Sequence, residues 1–135
     1  MSSLKDLRLA QKAEEAHRHA ISELNELVHG IERCEKTILN LKQELEAVNT
    51  KYQGVRTTRD DVAYLTALLE CAKKKLAWEK LMTSLQKRTP EVLEQVSKLF
   101  NDPKNPPTDE NRVKMVQSLQ SVQAAMESLQ NAKTD

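Results

Sequence analysis

Residues 10–52 read AQKAEEAHRHAISELNELVHGIERCEKTILNLKQELEAVNTKY, and the spacing of apolar side chains in this stretch decides the fold. With Ala10 as a heptad a position, the a row runs Ala10, His17, Leu24, Ile31, Ile38, Leu45 and Tyr52. The d row runs Ala13, Ala20, Leu27, Cys34, Leu41 and Val48. Spacing of alternately three and four residues, held this long, marks one narrow apolar stripe on one long helix. Such a helix cannot bury its stripe against itself. The chain must fold back on it or recruit a second chain.

Punctuation elsewhere supports folding back. Ser3 with Asp6 reads as an N-cap, and the first helix is predicted over about residues 3–53, ending at Gly54. Gly30 in its middle costs roughly 1 kcal/mol against alanine, so it predicts a weak point or a close helix approach. Gly54-Val55-Arg56-Thr57-Thr58 reads as a turn, with Thr57 or Thr58 capping a second helix over about 58–88 and Asp60 and Asp61 at its positive end. Its predicted stripe is Val62, Leu65, Leu69, Ala72 and Leu76, followed by a phase slip to Trp78, Leu81 and Leu85.

Thr89-Pro90-Glu91 has the form of a helix restart, giving a third helix over about 90–101 with Val92, Leu93, Val96, Leu99 and Phe100 on its apolar face. Three prolines within 102–107 predict a loop. Thr108-Asp109-Glu110 then caps a fourth helix over about 108–132, with Met115, Leu119, Val122, Met126 and Leu129 at 3-4 spacing and a fraying tail beyond Ala132. If the chain reverses near residue 55, position n of the first helix faces about 110 minus n.

The expected architecture is one all-α domain over 1–135. An elongated antiparallel coiled-coil hairpin, helix 1 against helices 2 and 3, widens to a three-helix bundle where helix 4 turns back at residue 102 to lie along helix 3 and the end of helix 2. A parallel homodimer through the same a/d stripe is the structural rival, and the turn at Gly54 argues against it.

Composition narrows the function. The 135 residues hold one Trp, two Tyr and one Phe, so the core is thin and largely aliphatic. Net charge is +1, which creates no global attraction to nucleic acid or membrane. Charge is uneven, however: residues 1–53 carry eight basic and nine acidic side chains, 54–89 eight and four, and 90–135 five and seven. Opposite signs on segments that pair favour register and partner choice. No apolar leader and no apolar run of about eighteen residues is present, so an intracellular, cytoplasmic or nuclear location is expected, with Cys34 and Cys71 as free buried thiols. In the register above Cys71 faces residue 39, about 7–8 Å along the axis from Cys34 and too far for a disulfide.

Two Glu-x-x-His pairs, Glu14 with His17 and Glu26 with His29, each resemble half of a di-iron carboxylate site. Both lie on one helix, about 18 Å apart, and no third inward glutamate completes them. His17 in the a row reads instead as a polar residue that weakens or registers the seam. Phosphate loops, zinc motifs and nucleophile–base arrangements are missing from the sequence, so no enzymatic activity and no cofactor are expected. Lys73, Lys74, Lys75, Lys80, Lys87 and Arg88 form a possible basic surface on helix 2, with no interleaved aromatics for base stacking. Its expected role is a solvated face with salt bridges to helix 1, Glu32 and Glu35 among them.

The function expected is a non-enzymatic coiled-coil scaffold or adaptor subunit of a larger intracellular complex. It would bind other proteins through apolar residues outside the a/d stripe, with Leu39 and Leu68 near the hairpin tip as candidate contacts, and self-association is possible. The alternatives are an autonomous regulatory bundle of tethering or trafficking type, and a charge-driven binder of microtubules, lipid or RNA through Lys73–Arg88.

Overall fold

The computed structural model describes residues 3–54 and 56–134; Val55, within the predicted turn, and Asp135, in the predicted tail, lie outside them. Three helices make up the fold: α1 (Leu4–Lys51), α2 (Thr58–Phe100) and α3 (Asp109–Thr134). Both predicted hairpin caps are present as reciprocal capping boxes, Ser3 with Asp6 on α1 and Thr57 with Asp60 on α2. Gly54 holds φ +85 in the connection, a left-handed conformation that a side chain would strain. Thr108 Oγ1 accepts from Asn111 N–H at 3.2 Å and starts α3, which continues helical past Ala132 to Thr134.

The a and d rows of α1 are its buried residues from His17 to Leu41. Both other helices pack on α1, while α2 and α3 hardly approach each other. α2 returns along α1: Arg88 reaches Glu26, Trp78 reaches Cys34, and Tyr64 reaches Asn49. These pairs follow the predicted reversal to within a few residues. α3 runs in the same direction as α1, joined to it by Asn111 to Glu14, Ser118 to Asn25, Ser128 to Glu35, and Lys42 to the Ala132 carbonyl. The α3 face turned inward is Asn111, Met115, Ser118, Val122, Ala125, Leu129 and Ala132. The predicted Leu119 and Met126 therefore flank that face and do not centre it.

The predicted fourth helix does not exist as a separate count, because helices 2 and 3 are one. α2 passes through Pro90 without a break. The reason is the seam. Tyr64, Leu68, Cys71, Lys75, Trp78, Met82, Leu85, Thr89, Val92, Val96 and Leu99 alternate spacings of four and three without interruption, and all but Lys75 are buried or half-buried. Interrupting the helix at residue 89 would break that phase and expose Val92 and Val96. Keeping Pro90 inside costs about 3 kcal/mol and leaves the Gln86 carbonyl without the Pro90 N–H it would have accepted. Thr89 does not cap: its Oγ1 donates to the Leu85 carbonyl at 2.7 Å. The predicted phase slip is likewise not found.

Gly30 is a place of close approach, where an added Cβ would stand 3.2 Å from Leu85 Cδ2. His17 is buried with no hydrogen-bond partner for either ring nitrogen among the described residues. An unpaired buried polar group costs about 1–3 kcal/mol. His17→Leu is therefore expected to raise the urea midpoint by the equivalent of about 1–2 kcal/mol. An unchanged or lowered midpoint would mean that the imidazole does bond in the folded protein.

Candidate interaction surface

Along α1 the a row opens abruptly. Relative exposure is 0% at Leu24, 2% at Ile31 and 6% at Ile38, then 40% at Leu45. The change coincides with the end of α3, where the Lys42 ammonium meets the carbonyl of Ala132. Past this level α1 and α2 continue alone as a two-helix tip. Their end is clasped by Tyr52 stacked on Tyr64 with ring centroids 5.5 Å apart, by the Arg56 guanidinium over Tyr64 at 4.6 Å, and by Tyr64 Oη donating to Asn49 at 2.7 Å. Aromatic and cation–π contacts of this kind each contribute about 0.5–1.5 kcal/mol and hold the tip together without α3.

On α2 the tip carries a stripe of large aliphatic side chains that nothing covers: Val62, Leu65, Leu69 and Leu76 are 60%, 65%, 56% and 56% exposed. These are the residues that the sequence reading assigned to the α1 contact. Tyr64, Leu68 and Cys71 make it instead. The two stripes are both at 3-4 spacing, and only one is in phase with Trp78, Met82 and Leu85. That continuity of phase is the signal by which the sequence distinguishes seam from surface. Of the candidate contacts, Leu39 is exposed beside the last turn of α3, whereas Leu68 is half-buried in the α1–α2 seam.

The exposed stripe lies on the face of α2 that looks towards α3. Alongside α3 that face is formed by Gln86, Pro90 and Leu93, which with Met126 and Leu129 line an apolar groove of about 310 Å³ over Ile31. Leu65 stands four heptads before Leu93; Val62, Leu69 and Leu76 stand four, three and two heptads before Pro90. The exposed stripe thus continues towards the tip the α2 face that borders the groove beside α3.

The basic side chains divide. Lys74 pairs with Glu44 at 2.8 Å, Arg88 with Glu26 at 3.1 Å, and Lys73 with Glu70 at 3.5 Å. The hydrogen bond and charge of Glu44 raise the Lys74 pKa above its ordinary value. The partners on α1 are Glu44 and Glu26, and not the predicted Glu32 and Glu35. Lys75, Lys80 and Lys87 are exposed and have no ion pair among the described residues.

Neither Glu-x-x-His pair forms a cluster. Glu14 accepts from Arg18 and Asn111, Glu26 holds Arg88, His17 is buried and His29 is exposed. No group of three or more His, Cys, Asp or Glu side chains converges among the described residues. Cys34 and Cys71 are free and buried, and burial pushes the Cys34 thiol up, against a smaller opposing pull from Arg33. No helix among the described residues is long and apolar enough to cross a membrane. Compared with models of protein families, with curated proteins and with solved structures, the chain shows no match.

Proposed function

We propose that this protein is a non-enzymatic coiled-coil scaffold or adaptor subunit that binds another protein through its two-helix tip, within a larger intracellular complex. One observation carries the reading: four large aliphatic residues at regular spacing stand more than half exposed on a helix whose opposite face is already packed. Singly exposed apolar residues are ordinary, but a contiguous row of this length marks an interaction surface. The basic side chains of α2 support a charge-driven role less well, because Lys74 and Arg88 are engaged with carboxylates of α1.

Photo-crosslinking inside cells tests the reading. A benzophenone side chain placed at Leu65 or Leu69 is expected to give a discrete crosslinked protein product. The same group at exposed Glu91, on packed α2 away from the tip, is expected to give none. Equal labelling from both positions, or none from either, would remove the tip as a protein-binding surface.

A further inference from the structure

We infer that the tip groove is the seat of a single amphipathic helix of another protein, with acidic side chains along the edge that faces α2. The inference rests on the reading above and adds the partner's shape and charge.

Shape follows from α3. On the same side of the hairpin α1 already holds one helix, α3, whose inner face is Met115, Val122, Ala125, Leu129 and Ala132 with two small polar residues. The α2 face becomes more apolar towards the end of α3: Thr83, Gln86, Pro90 and Leu93 lie alongside it, Ala72, Leu76 and Glu79 stand level with its last turns, and Val62, Leu65 and Leu69 lie beyond it. Leu45 and half-buried Val48 on α1 form the opposite wall. The stripe from Val62 to Leu76 spans roughly 21 Å at 1.5 Å per residue, the length of an amphipathic helix of about four turns. A flat lipid surface would reach the α2 crest and leave Leu45 and Val48 uncovered.

Charge follows from the rim. Arg59, Thr66, Lys73 and Lys80 are spaced by sevens and so form one exposed row on α2 beside the stripe. Lys42 and Glu46 stand on the α1 side. On the α2 side the row is basic, and among the described residues only Lys73 of it is ion-paired, with Glu70 at 3.5 Å, although Glu79 beside Lys80 and Glu46 on α1 place carboxylates nearby. A second copy of this chain fits poorly. Among the described residues, its two rows of three or more exposed large apolar side chains are the same tip, with the same basic row, and the start of α1, where Leu4, Leu7 and Leu9 are interleaved with Lys5, Arg8 and Lys12; Val113 and Val116 on α3 make only a pair, and Leu39, Leu81 and Met126 stand singly. Either would set like charge against like, whereas acidic flanks would pair.

The test uses the full chain and two fluorescent synthetic helical peptides of about sixteen residues, enough for the four-turn groove. Both carry the same Leu/Ala stripe, one with Glu flanks and one with Lys flanks. The Glu-flanked peptide is expected to bind at least tenfold more tightly than the Lys-flanked one, with affinity falling as salt rises. Leu65→Glu with Leu69→Glu should remove binding while helicity and melting stay unchanged, both sites being exposed. Lys73→Glu with Lys80→Glu should reverse the peptide preference. Equal or no binding of the two peptides overturns the inference. So does a dimer in sedimentation that Leu65→Glu with Leu69→Glu dissolves, which would make a second copy the occupant. So does capture by phosphatidylcholine–phosphatidylserine vesicles that those substitutions abolish, which would make lipid the occupant. If the peptides fail while Leu65 still crosslinks a protein in cells, the protein-binding reading survives and the acidic helix does not.

Discussion

Trp78→Ala is expected to cost about 4 kcal/mol, measured as the loss in unfolding free energy by urea titration followed by circular dichroism. Trp78 is the single tryptophan of a chain with four aromatic residues, and it is 6% exposed. It stands on the α2 seam opposite Cys34, and its Nε1–H donates to the Cys34 carbonyl at 2.9 Å. Removing the indole opens a cavity in a thin aliphatic core that has few side chains able to collapse into it. A domain of this size has about 5–15 kcal/mol in total, so the variant should be marginal at room temperature. Trp78→Phe separates the two contributions. It keeps most of the ring and loses the hydrogen bond, while the Cys34 carbonyl keeps its bond within α1, so a cost of about 1–2 kcal/mol is expected. A Trp78→Ala loss under about 1 kcal/mol would show that α2 is not packed on α1 at this level.

Pro90→Ala is expected to act in the opposite direction and stabilise the fold by about 2 kcal/mol. The substitution restores an N–H for the Gln86 carbonyl and removes the ring from the helix interior, worth about 3 kcal/mol in an undistorted helix. Against this stands the greater freedom of the unfolded chain without proline, about 0.4–1 kcal/mol. Pro90 is exposed, so no seam contact is lost. A raised urea midpoint with unchanged m-value would be the signature. A lowered midpoint would mean that α2 must bend at residue 90 to follow α1, and that proline supplies the bend.

The ladder from Ala10 to Tyr52 determined by itself that the chain is helical, which face of α1 is buried, and that other helices must lie on it. Ser3 with Asp6, Thr57 with Asp60 and Thr108 were equally legible, because capping is a local exchange of hydrogen bonds written within four residues. The direction of α3 also followed from the turns, but its place did not: it packs on α1 and not along the end of α2, because its polar contacts and inner face meet α1.

What only tertiary structure decided lies on α2. Thr89-Pro90-Glu91 has the local form of a restart, but the seam formed by Thr89, Val92 and Val96 overrides it: burial over several turns outweighs one lost hydrogen bond. The α2 tip carries two apolar stripes of the same period, and local spacing cannot rank them. The choice falls to the stripe that stays in phase with Trp78 and Met82, since a helix can present only one continuous seam to α1. The other stripe, Val62 to Leu76, is thereby left facing outward. The surface proposed for partner binding is the product of that choice.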